Sequence, residues 1–167
     1  RSSSSTTAAA TAWSRVTPVP MTNPKASLIG SWSGNDTHTE YSPSGRIRLD
    51  VYRHETKPGC WDYTKGVLTA ESWSVEINRN YSDFLVCWAS VAGVEWFIGG
   101  ESYMGQTVVN WATGEVYRDS AFGKYTGFEF CWSDAKLLSD GKTLLVSGCH
   151  WACPYEYRLY DFSDPAN

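Results

Sequence analysis

Three glycines, Gly45, Gly93 and Gly141, succeed one another at intervals of 48 residues, and each ends a short turn sequence: Ser42-Pro43-Ser44-Gly45, Val91-Ala92-Gly93 and Ser139-Asp140-Gly141. Glycine at the end of such a turn accepts the positive φ that a tight reversal demands. Equal spacing of equivalent turns is the mark of a repeated supersecondary unit. A chain built on this plan is expected to be a series of antiparallel β-meanders.

The segments after each glycine fit that plan. Arg46 to Arg53 alternates apolar and polar residues, Ala92-Gly93 leads into Val94-Glu95-Trp96-Phe97-Ile98, and Thr143 to Val146 is a short apolar run. These runs are too short for helices and are bounded by turn residues. Second strands are expected around Lys65 to Thr69, Thr107 to Trp111 and Tyr155 to Asp161, the last alternating in and out. Aromatic strands precede the second and third turns, at Asp83 to Ala89 and Phe128 to Ser133. No segment carries a 3.6-residue period. The fold class is all-β, with units at about 41–70, 83–118 and 128–165. A β-sandwich and a closed barrel are the other all-β options, the barrel suggested by Gly30-Ser31-Trp32-Ser33-Gly34.

Bulk properties set the outer limits. The chain has 167 residues and 42% apolar content, enough for one domain with its own core. Aromatic residues make up 15%, which favours strands over helices. The net charge of -4 and the lack of a basic stripe argue against a nucleic-acid backbone as partner. No run of apolar residues is long enough to form a transmembrane helix.

Residues 1–26 differ from the rest. The opening, Arg1 to Ala12, is Ser-, Thr- and Ala-rich and has nothing to bury; it is expected to be a flexible arm. Trp13 to Pro24 carries Pro18, Pro20 and Pro24, which cannot donate to a ladder, so this part is expected to lie as an extended strap on the domain or on a neighbour. Trp13, Val16 and Val19 are its contact residues. The β-repeat domain is assigned to 27–167. Lacking an apolar leader segment, the opening does not read as an intact secretory signal. An acid-free, Ser-rich stretch behind Arg1 fits the remnant of an organellar presequence, and equally a plain disordered arm.

The repeats resemble β-propeller blades. Ser42-Pro43-Ser44-Gly45, Ser139-Asp140-Gly141-Lys142, Asn110 to Glu115 and Asp161-Phe162-Ser163-Asp164 carry the likeness, without the Trp-Asp pair of WD-type repeats. Gly148-Cys149-His150-Trp151-Ala152-Cys153-Pro154-Tyr155-Glu156 is similar to a stretch found in a group of uncharacterised bacterial and viral proteins. The likeness spans about 41–165 and implies a partial propeller with no activity attached. Propellers close with four to eight blades. Three units leave strand edges to be covered, which points to other protein subunits as partners.

Each chemistry-bearing residue competes with an ordinary packing role. Cys149, His150 and Cys153 are the best metal cluster, since thiolates and imidazole suit zinc, yet a fourth ligand is missing and adjacent strand residues face opposite ways. A Cys-His nucleophile would draw on Cys60, Cys149 or Cys153, on His54 or His150, and on Glu55, Asp62 or Glu156, but no nucleophile motif surrounds them. Glu95, Glu101, Glu129 and Asp134 offer carboxylates whose separation a sequence cannot give. Trp32, Trp88, Trp96 and Trp132 are expected in the core, whereas Trp61 and Trp151 lie in loops and, with Tyr155, are candidate contact residues. Cys60, Cys87 and Cys131 read as buried free thiols in a reducing, intracellular setting. The expectation is therefore a non-catalytic binding or scaffold module, without cofactor, in a larger assembly. An enzyme or metal protein using the Cys149 loop, and a barrel that binds a small ligand, are the alternatives.

Overall fold

The structure, a computed structural model, describes residues 13–16, 37–55, 57–58, 62–80, 83–100, 106–119, 130–150 and 153–166. Among these the regular structure is entirely β, in three antiparallel sheets. The first sheet has the order β2 (Thr37–Tyr41), β3 (Arg48–Glu55), β4 (Asp62–Thr69), β5 (Ser74–Asn80). The second is the meander β6 (Cys87–Val91), β7 (Val94–Gly100), β8 (Gln106–Asn110), β9 (Val116–Asp119), extended by β1 (Trp13–Val16) on the outside of β9. β10 (Phe130–Leu137), β11 (Thr143–His150) and β12 (Glu156–Asp161) make the third. The all-β chain thus divides into separate sheets and does not close into one barrel.

The glycine spacing corresponds to the first hairpin of each sheet. Gly45, Gly93 and Gly141 have φ of 73°, 80° and 70°. The outer two hairpins share one design: the Ser42 amide donates to the Ile47 carbonyl and the Leu138 amide to the Thr143 carbonyl, both at about the 2.8–2.9 Å of a good hydrogen bond. The middle hairpin is tighter, since Val91 pairs directly with Val94 and Ala92 (φ 51°) and Gly93 form a two-residue turn. The first unit is longer than its sequence pattern suggests: its sheet runs on to Asn80 through β5.

The core shows how the sheets stack. Ile47, Leu49, Leu68, Val75 and Ile77 of the first sheet form one apolar cluster with Phe97, Val109 and Val116 of the second. Cys87, Ala89, Val91, Trp96, Ile98, Val108 and Tyr117 of the second sheet form another with Phe130, Trp132, Ala135, Leu144, Val146 and Phe162. Neighbours along β7 thus enter different clusters: Phe97 turns toward the first sheet, Trp96 and Ile98 toward the third. A sheet covered on both faces has no use for polar alternation. That is why Trp96, Phe97 and Ile98 of β7 and Val108 and Val109 of β8 are consecutive apolar residues.

The stacking is head to tail. Aligned on their hairpins, Ile47, Val94 and Thr143 are equivalent, so Leu49, Trp96 and Leu145 are too. Leu49 and Trp96 belong to the faces the first and second sheets turn toward the next sheet along the chain, here called front faces. Phe97, Leu144 and Val146 lie on the back faces of the second and third sheets.

Candidate functional site

Strand parity sorts the connections into two ends. The β2–β3, β4–β5, β6–β7, β8–β9 and β10–β11 turns share one end, and the last residues of β3, β5, β7, β9 and β11 lie at the other, here called the loop end. The turn end is tied together by side chains. Glu95 accepts hydrogen bonds from the Ser44 amide (3.0 Å) and hydroxyl, joining the first hairpin to β7. The Trp73 indole donates to the Trp111 carbonyl (2.9 Å), and the Arg46 guanidinium lies 5.0 Å from the Trp111 ring centre. Glu95 is therefore a fastener between sheets. Asp134 is exposed on the third sheet, and Glu101 and Glu129 lie outside the described residues.

At the loop end of the third sheet charged and aromatic groups from three strands gather. The Arg158 guanidinium sits 4.1 Å from the Phe130 ring centre and donates to Glu156 from Nε (2.8 Å) and Nη2 (2.6 Å). Its Nη2 is also 2.7 Å from Nε2 of His150, which in turn packs edge-on against Phe130 at 5.6 Å. Arg has no acceptor, so at this contact the guanidinium donates and the imidazole Nε2 is the accepting atom. The His150 carbonyl takes the Cys153 amide (2.9 Å), closing the loop onto β11.

This arrangement bears on the candidate metal set. His150 points to the back face, beside Phe130, while Cys149 is on the front face opposite Cys131. Among the described residues no group of three or more His, Cys, Asp and Glu side chains converges on a common point. Cys87, Cys131, Cys149 and Cys153 form no disulfide, and the first two are buried. Burial pushes the Cys87 thiol up to about 11. A buried neutral thiol of that kind is a packing residue, not a nucleophile. Cys60 lies outside the described residues, as do the side chains of His54, Glu55 and Asp62.

The remaining predicted residues separate. Trp13 and Val16 are the ends of β1, paired with Asp119 and Val116 of the same chain. Val19, Trp32, Trp61 and Trp151 lie outside the described residues. Trp96 and Trp132 are buried, and Trp88 packs partly buried against the first core cluster, its indole donating to Glu40 at 3.2 Å. Tyr155 is on the surface.

Beside Tyr155 are two residues that the sequence pattern alone does not single out. Tyr155, Tyr157 and Leu159 are 68%, 76% and 52% exposed, on the front face of the third sheet. The other side of β12 carries the exposed Glu156 together with Arg158 and Tyr160, and the last two turn inward, Tyr160 lying 5.0 Å from Trp132. The usual order is reversed: apolar out, Arg158 in. Strict alternation over these residues is visible in the sequence, but which set faces the core is not.

Comparison with known proteins adds kinship without activity. No family model and no solved structure matches the chain. It is homologous to an uncharacterised protein of Acanthamoeba polyphaga mimivirus, with 39% identity over 128 residues, or 75% of this chain. The aligned part is 50% of that relative, so the chain spans about half the length of the curated relative it matches.

Proposed function

We propose that the chain is a non-catalytic binding or scaffold module, an accessory subunit of a larger protein assembly, whose three sheets are successive blades of a propeller-like array. One observation carries this reading. The exposed large apolar side chains among the described residues are Tyr41, Tyr155, Tyr157 and Leu159, and all four belong to the two end sheets. The middle sheet is covered on both faces. Exposed apolar surface confined to the ends of a stack is surface left for contact. The sequence adds Trp61 and Trp151, and the strap residues Trp13, Val16 and Val19, to the proposed contact set.

The test is native mass spectrometry of the purified chain over a range of concentrations, alongside binding of a hydrophobic dye. Association or dye binding that is lost on Tyr157→Ser with Leu159→Ser is the expected result. A compact monomer at every concentration that binds no dye would overturn the reading. Metal analysis of the same sample separates it from the alternative built on Cys149, His150 and Cys153: stoichiometric zinc would favour the alternative.

A further inference from the structure

The repeat itself says what the front face of the third sheet is shaped to meet. Position by position, that face matches front faces that are buried elsewhere. Leu145 pairs with Leu159 as Leu49 pairs with Leu68 in the first sheet. Tyr157, opposite Ser147, holds the place of Val108 opposite Ile98 in the second. Leu49, Leu68, Ile98 and Val108 are all 0% exposed, whereas Leu159 and Tyr157 are 52% and 76% exposed. The outer edge of β12 is equally unfinished. In the other two sheets the third strand pairs with a fourth, β4 with β5 and β8 with β9, while no described strand pairs with the outer edge of β12.

We infer that this face and edge are the seat of a further sheet of the same repeat: a fourth strand added antiparallel to β12, then a meander whose apolar back face covers Leu145, Tyr157 and Leu159. The reading rests on the proposal that the chain acts through contact surfaces. It identifies which surface and which occupant. Two facts select the occupant. Back faces that already cover a front face are apolar, with Phe97 and Val109 in one case and Leu144 and Val146 in the other. The back face of this chain's own first sheet carries the exposed Tyr41 but is otherwise dominated by charge: Arg48 pairs with Asp50 at 2.8 Å, Thr39 donates to Asp50 at 2.7 Å, and Lys65 pairs with Glu76 at 3.4 Å. Stacking a second copy head to tail would bury those ion pairs against Tyr157 and Leu159, at a desolvation cost that apolar contact does not return. A sheet encoded elsewhere fits better. The mimiviral relative has the room for it, since the matched 128 residues are only 50% of its length.

Hydrogen exchange on two intact proteins tests this, the 167-residue chain and the full-length mimiviral relative. In the chain, the amides of β12 should exchange on the order of 100-fold faster than those of β4, because no described strand pairs with the outer edge. In the relative, the strand corresponding to β12 should be as protected as the one corresponding to β4. Leu159→Asp should leave the melting temperature of the chain unchanged, and the equivalent change should lower that of the relative. Equal, fast exchange of the strand in both proteins would overturn the inference. So would protection of β12 in the isolated chain together with a native mass of two copies, since a second copy would then be the occupant. Either result leaves the broader binding proposal to the dye and mass measurement.

Discussion

Leu159 stands opposite Leu145 on the third sheet as Leu68 stands opposite Leu49 on the first, yet Leu68 is 0% exposed and Leu159 is 52% exposed. The same position in the repeat is core in one sheet and surface in another. Residue type is set by the repeat, and exposure by what lies beyond the sheet. The difference has a direct energetic consequence. Leu68→Ala should cost about 2–5 kcal/mol through lost burial and the cavity left behind. Leu159→Ala, in the isolated chain, should cost less than about 0.5 kcal/mol, like other surface substitutions. Urea unfolding of the two variants checks the contrast, and equal losses would contradict it.

The hairpins and their glycines are legible in the sequence because a turn is a local event: Gly45, Gly93 and Gly141 need positive φ whatever the chain does elsewhere. The third strand of the last unit is legible for a similar reason, through alternation. β5 is not, although Val75 and Ile77 alternate with Glu76 and Asn78, because it comes after its turn without a glycine of the 48-residue series. The contact face is hidden for a deeper reason. Period-two alternation defines two faces without saying which is inside, and on β12 Arg158 turns in because it stacks on Phe130 and binds Glu156.

Gly148 tests the close approach of β10 and β11. A Cβ built there would run into the Cys131 carbonyl oxygen, a backbone atom that cannot swing aside. Gly148→Ala should therefore destabilise the third sheet by about 1–3 kcal/mol, the usual cost of overpacking. Gly141→Ala, whose added Cβ meets open space, should lose stability only through its φ of 70°. Thermal unfolding of both variants gives the comparison. A Gly148→Ala protein as stable as the parent would show that the strands can part.

Arg79 links distant elements. It is 3% exposed at the end of β5, and its Nη2 donates to the Trp132 carbonyl of the third sheet at 2.9 Å. Arg79→Met keeps the aliphatic stem and removes the charged donor, leaving a buried carbonyl without it. A loss of about 1–3 kcal/mol is expected. Hydrogen exchange should show the loosening at the start of β10 as well as on β5. If only β5 responds, the bond does not couple the two sheets.

Cys87 should make stability fall in alkali. Burial holds its thiol up to about 11, above its unfolded value, so the folded form favours the protonated group. That contribution is complete below about pH 8.5, where an unfolded thiol stays protonated. It is lost as the pH rises from there toward 11. Cys87→Ala should flatten this part of the stability curve, and a thiol reagent should label Cys87 only after denaturation. Labelling of native Cys87 at neutral pH would contradict the assignment.

Acid acts on the third hairpin through Asp140. Its carboxylate accepts hydrogen bonds from the Thr143 hydroxyl (2.6 Å), the Lys142 amide (3.0 Å) and the Thr143 amide (2.9 Å), which together hold it below the usual carboxylate range. Asp161, bonded to Ser163, is lowered in the same way. A lowered carboxylate stabilises the fold at pH values above its unfolded value of about 3.9, and the benefit disappears as the pH falls through the folded value. The parent should therefore exceed Asp140→Ala in melting temperature at about pH 6, with the gap closing as the pH falls below the unfolded value of about 3.9 and the carboxylate protonates in both states. The neighbouring charge on Lys142 adds to the lowering, so salt should narrow the gap near neutral pH only slightly while the three hydrogen bonds persist. A gap that is constant across this pH range would mean that the hairpin gains nothing from the ionised form.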